Sequence, residues 1–174
     1  MAEPDPPRHR VAVIAIDGGP LFELAVPCAV FGAHPAYALE VCGDASRVAT
    51  SAALELAVPA PLAAARGADT IIVPTWPRPG EAPPAELIEL LRAEHARGAR
   101  IVGLCLGAYV LAAAGLLDGL AATTHWEFSA LLARLHPRVD VTRDAVYVDH
   151  GRLVTAAGSA SGLDCCLHLV AVDL

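Results

Sequence analysis

Residues Gly103-Leu104-Cys105-Leu106-Gly107 lie between a run of strand character, Arg100 to Val102, and an Ala-rich run of helical character beginning at Ala108. A strand that must become a helix within two residues forces the central residue into a sharp, strained turn, and a glycine two positions to either side leaves room for the reversal. This nucleophile-elbow pattern requires a sheet whose strands feed helices. The central side chain, Cys105, is expected to project towards solvent at a helix N-terminus, within reach of two backbone N–H groups. Such a setting lowers a thiol pKa and stabilises an anion. A small buried cysteine that happens to lie between glycines is the plain alternative.

The chain has 174 residues, enough for one domain with a full core and too few for two ordinary ones. Apolar residues make up 55% of it, yet Gly, Pro or a charge breaks every apolar stretch well before the roughly 20 residues that a bilayer requires. The opening, Met1 to Arg10, is polar and Pro-rich with no apolar core of a signal peptide, so a cytoplasmic protein is expected, with residues 1–9 disordered. In that compartment the five cysteines are thiols. No Cys-x-x-Cys pair occurs, and the adjacent Cys165 and Cys166 point about 100° apart on a helix, which suits core filling. The histidines are scattered without a second ligand at metal spacing, so neither a metal nor another cofactor is expected.

The formal net charge is -7, and all twelve basic residues are Arg. The absence of Lys excludes a Schiff-base lysine and a P-loop lysine. The arginines form no stripe, which argues against direct nucleic-acid binding by this segment.

Strand-length apolar runs alternate with helix-period segments. Val11 to Ile16 reads as a buried parallel strand closed by Asp17-Gly18-Gly19, and Leu21 to Gly32 as a helix that Pro27 either kinks or opens. Leu39 to Cys42, Leu54 to Val58 and Thr70 to Val73 read as strands, and the proline-dense stretch from Pro74 to Pro84 as a loop. Ala85 to Arg97 is a helix with acids in its first turns and Gly98 as its stop. After the elbow, Ala121 to Thr124 is a strand, Trp126 to Leu135 a helix and Val139 to Thr142 a strand. Val146 to Asp149 and Leu153 to Ala156 form a hairpin, and Ser161 to Leu174 a final helix. The apolar run into Leu174, without a polar tail, predicts further chain beyond it. Together these elements predict a three-layer α/β/α sandwich, a single domain over 1–174, with binding groups at the carboxyl ends of a mostly parallel sheet.

Four strand ends then converge, bringing Asp17 and Glu23, Thr75 and Trp76, Cys105, and His125 to one site. A carboxyl, a thiol, an imidazole and the backbone N–H groups of Thr75 and Leu106 suit thiolate chemistry or recognition of a small polar molecule. His125 has a second reading as a helix cap, Asp17 as a turn residue, and Asp164 as a capping or first-turn acid that also lines the pocket.

The elbow Gly-Leu-Cys-Leu-Gly-Ala-Tyr-Val-Leu, the following Ala-Thr-Thr-His-Trp, the opening from Asp17 to Phe31 and the block Thr155 to Asp164 resemble the ThiJ/PfpI superfamily of glutamine amidotransferase-like, flavodoxin-like domains. More narrowly they resemble the branch at the N-terminus of AraC-family transcriptional regulators. The resemblance implies that Cys105 is the elbow cysteine, Glu23 the acid hydrogen-bonded to its sulfur and His125 the nearby histidine. A protonated Glu23 would favour the thiolate. Leu106 stands where hydrolases of the superfamily often carry histidine, and Thr75-Trp76 where Gly-Gly is common. Trp76 is expected to wall the ligand pocket, together with Asp17, Leu106, Trp126 and Asp164. The function implied is that of a ligand-sensing, homodimerising domain that binds a small-molecule effector and meets DNA only through a helix-turn-helix domain beyond Leu174. The alternative is a stand-alone cysteine hydrolase, hydratase or glyoxalase-like enzyme.

Overall fold

The computed structural model describes residues 8–174. The chain forms strands β1 (His9–Ile14), β2 (Tyr37–Gly43), β3 (Arg47–Ala49), β4 (Glu55–Ala57), β5 (Ala60–Pro61), β6 (Thr70–Val73), β7 (Arg100–Leu104), β8 (Ala121–Ala122), β9 (Asp140–Val141), β10 (Tyr147–Asp149) and β11 (Leu153–Ala156). The helices are α1 (Leu21–Gly32), α2 (Ala85–Arg97), α3 (Gly107–Ala113), α4 (Ser129–Leu135) and α5 (Ala160–Asp173). Of the opening expected to be disordered, residues 1–7 lie outside the described residues. His9 is already the first residue of β1, tied to the Thr70 hydroxyl at 2.8 Å.

The main sheet has seven strands in the order β10-β11-β7-β6-β1-β2-β5. All its neighbours run parallel except β10, which pairs antiparallel with β11 as the predicted hairpin. The central strands read as continuous apolar runs because both faces of the sheet are covered. Side chains alternate between two cores. Ala12, Ile14, Ile71, Val73 and Ile101 meet the layer of α2 and α3, whereas Val11, Val13, Ile72, Val102 and Leu104 meet the layer of α1 and α5. This is the three-layer α/β/α sandwich with a flavodoxin-like, mostly parallel sheet.

Helix α2 follows its sequence signals residue for residue: Leu87, Leu90 and Leu91 are buried and Gly98 ends it at φ 113°, a left-handed cap. Helix α1 continues through Pro27 rather than breaking there. Two expected elements change shape, and one strand was not expected. The Ala121–Thr124 strand shrinks to β8, which pairs with β9 in a separate ladder and takes no place in the main sheet. The Trp126–Leu135 helix splits into a 3₁₀ turn at Trp126–Phe128 and α4. Strand β3, at three residues too short to show a period, pairs antiparallel with β4.

Candidate functional site

The elbow is built by crowding at its two glycines. A Cβ at Gly103 would lie 2.9 Å from the Ala108 nitrogen, and one at Gly107 would lie inside van der Waals contact of the Val73 carbonyl oxygen. Helix α3 can therefore start directly against β6 and β7 only if both positions are bare. Between them Cys105 adopts φ 49°, left-handed backbone that costs a non-glycine residue about 1–2 kcal/mol. Two hydrogen bonds hold it there: its N–H donates to the Ala156 carbonyl at 3.0 Å, and its carbonyl accepts from the Thr124 hydroxyl at 2.7 Å.

The side chain does not project into solvent as expected; Cys105 is 6% exposed. Burial is the largest influence on its thiol, pushing it up to about 12. The Glu23 carboxylate pushes the same way, and the Leu106 N–H, which hydrogen-bonds the sulfur, opposes them. The lowering that the helix terminus and the N–H groups promise is thus present and loses to desolvation, which corrects the expectation of a thiol inclined to ionise.

Glu23, on the first turn of α1, is 4% exposed. Its Oε1 accepts from the Ser159 N–H at 3.0 Å, whereas Oε2 is buried without a partner of hydrogen-bond geometry among the described residues. Burial raises this carboxyl above its ordinary value, and the Ser159 N–H, the Cys105 thiol and the nearby His125 pull it back only partly. Acid and thiol lie side by side, so a charge on one opposes a charge on the other and the pair holds at most one. Once Glu23 ionises, that charge sits on the carboxylate. Pro27 lacks the N–H that would meet the Glu23 carbonyl four residues earlier, so the helix is loosened at this residue.

His125 reaches the site although its strand is not in the main sheet. Its Nδ1 accepts from the Glu127 N–H at 3.4 Å, so it caps the following turn, and its ring packs between Trp126 and Phe128. Two residues not picked out from the sequence complete the site. A Cβ at Gly158 would lie 3.2 Å from the Cys105 sulfur and would overlap the His125 ring, so a bare position here lets thiol and imidazole approach. Ser159 has φ 59° and ψ -124°, a strained conformation that aims its N–H at Glu23. Its only signal in the sequence was a Gly-Ser step after a strand, common in ordinary turns.

Glu23, Thr75, Cys105, Leu106 and His125 line one cavity of about 560 Å³, within the range of small-molecule sites. Trp76, Asp17, Trp126 and Asp164 are not among its lining residues. Asp17 is a turn residue whose Oδ1 accepts from the Ala49 N–H at 2.8 Å. Trp126 is 74% exposed, and Asp164 lies exposed beyond the first turn of α5, too far along to cap it. Trp76 is buried and its Nε1 donates to the Glu81 carbonyl at 3.1 Å. The segment after β6 alternates: Thr75 and Pro77 face the Cys105 cavity, Trp76 and Arg78 a second one. That alternation, invisible in a stretch read as loop, turns the indole to the other side.

Among the described residues no cluster of His, Cys, Asp and Glu is placed to hold a metal, and no helix is long and apolar enough to cross a membrane.

Residues 9–172 match the DJ-1/PfpI family. The chain is 35% identical to a Streptomyces lividans protein of the cpoL 5′ region over 135 residues, 74% of this chain and 96% of that one. It is 35% identical to the HTH-type transcriptional regulator GbdR of Pseudomonas aeruginosa over 85 residues, 49% of this chain and only 23% of the regulator. It is 37% identical to isonitrile hydratase of Pseudomonas putida over 92 residues, 51% of this chain and 39% of that enzyme. A crystal structure of an AraC family transcriptional regulator from Pseudomonas putida superposes with a TM-score of 0.79 at 25% identity, covering 93% of this chain and 90% of that one. The buried Cys105–Glu23 pair thus stands on a fold and a sequence shared with these proteins, and the chain belongs to the DJ-1/PfpI family.

Proposed function

We propose that this domain senses a small metabolite, bound in the cavity between Glu23, Cys105 and His125, as the effector domain of an AraC-type regulator. DNA is met through a separate helix-turn-helix domain, and two copies pair in the cytoplasm. The observation that carries a binding role over turnover is the burial of Cys105, 6% exposed and beside the Glu23 carboxyl, which takes from the sulfur the solvation that a thiolate needs. Burial pushes its thiol up, away from the ionised form. The neighbouring groups do not relieve it: Leu106 supplies no base, and the His125 Nδ1 is occupied by the Glu127 N–H. The matches to transcriptional regulators support the same reading.

A thermal-shift screen of small amines, amino acids and amides against the parent chain and Cys105→Ser tests it. A ligand that raises the melting temperature of both proteins, without being consumed, is the expected result. Turnover of an isonitrile, amide or aldehyde that disappears in Cys105→Ser would establish the enzyme instead.

A further inference from the structure

Behind the wall formed by residues 75–78 lies a second cavity of about 220 Å³, back to back with the first. It opens where the carboxyl ends of β1 and β6 part, the point at which the chain leaves β1 for β2 on one side and returns to β6 on the other. Doubly wound sheets bind ligands in such crevices. The lining joins Trp76 to three acidic residues, Asp17, Asp44 and Glu86, with Arg78 as the one basic residue among them; Asp17 gives one carboxylate oxygen to the Ala49 N–H. The Arg78 guanidinium already stacks over the indole, 4.5 Å from the ring centroid, so the aromatic face accepts a planar cation in the folded chain.

Arg78 is held there loosely. Its side chain is 41% exposed, its Nε lies 3.5 Å from Glu81 Oε2, and its Nη1 donates to the Asp17 carbonyl at 3.3 Å. Exposed pairs at such separations are worth little. An outside cation of the same charge that gains enough from the indole and the acidic residues around it to offset its association entropy can take the place of Arg78. Displacing Arg78 also removes the one positive charge that offsets them.

We propose that this second cavity is a binding site for a small organic cation of the guanidinium or alkylammonium class, with the Trp76 indole as its floor and Arg78 as the displaceable group that fills it in the free protein. The proposal is independent of what the Cys105 cavity binds.

Methylguanidinium is the probe, with uncharged methylurea as its isostere and sodium chloride matching ionic strength. The chain has two tryptophans, so in a Trp126→Phe background the emission reports Trp76 alone. A saturable change with methylguanidinium and none with methylurea is expected. Arg78→Gln should tighten binding about threefold by removing the competitor, and Glu86→Gln and Asp44→Asn should each weaken it about threefold, the worth of one exposed charge. All three positions are on the surface, so loss of folding does not confuse the result, and far-ultraviolet circular dichroism verifies this. A response linear in concentration, an equal response to methylurea, or an affinity indifferent to all three substitutions would overturn the proposal.

Discussion

Cys105 and Ser159 both meet the Glu23 carboxyl, and both carry positive φ without being glycine. The strain at Cys105 follows from the elbow, whereas that at Ser159 is imposed by the hydrogen bond its N–H makes to Glu23. Ser159→Gly should relieve that strain at the cost of some chain entropy, a net gain of about 1 kcal/mol, read as a melting temperature about 2–4 °C higher. No gain, or a loss, would mean that the backbone there is unstrained. Glu23 gives a pH test. Burial raises its carboxyl above the ordinary 4.5, so the folded chain keeps a proton that the unfolded chain releases. Its contribution to stability is complete below the unfolded value and declines as pH rises through the folded one. In Glu23→Gln that decline is absent. The melting temperature of Glu23→Gln should therefore improve relative to the parent as pH rises above the ordinary 4.5, and a constant difference would refute the assignment.

At the scale of elements, two glycines distinguish architecture from site. Gly107 lies against the backbone carbonyl of Val73, which cannot yield, so Gly107→Ala should drive α3 off β6 and cost more than about 3 kcal/mol or prevent folding. Gly158 faces side chains instead, the His125 ring and the Cys105 sulfur. Gly158→Ala should displace the imidazole, which lines the cavity, at a cost of about 1–3 kcal/mol, abolishing ligand-induced thermal shifts while the protein still folds. Urea unfolding beside the ligand screen separates the two, and equal losses in both variants would contradict the distinction. Most elements were legible beforehand. Strand β6, helix α2 and strand β11 begin and end where their residues predict, since apolar runs, prolines and Gly98 are local signals. Strands β8 and β9 were legible as strands, but their pairing with each other outside the main sheet was not, because a two-residue ladder depends on how distant segments meet.

Across the whole molecule, the end opposite the site is fastened by a buried network. Arg100 at the start of β7 grips Asp173 in the last turn of α5 with both terminal nitrogens, at 2.9 and 2.7 Å, while Tyr37 donates to the same carboxylate at 3.0 Å. Helix α5 thus runs from Ser159 beside Glu23 to a clamp at the amino end of the sheet. Burial alone would raise Asp173, but the Arg100 contacts and the Tyr37 hydroxyl outweigh it and hold the carboxyl below 3.8. Stability from this pair is present above the unfolded value and lost as pH falls through the folded one. Asp173→Asn should cost about 2–4 kcal/mol near neutral pH by leaving Arg100 buried and unpaired. The deficit against the parent should close below about pH 3.8 in urea titrations. A deficit that persists in acid would show that packing, not charge, makes the clamp.

The sequence alone determined the elbow and the two-faced parallel sheet, since backbone chirality, glycine clearance and side-chain periodicity are set by residues close along the chain; Glu23 as the acid beside the thiol came from the family resemblance. Only the tertiary structure decided that Cys105 is buried, that Trp76 faces away from it, and that Gly158 and Ser159 adjoin Cys105, His125 and Glu23. Desolvation and facing direction arise from segments more than a hundred residues apart, such as α1 and the start of α5, and no local pattern records how closely they will meet.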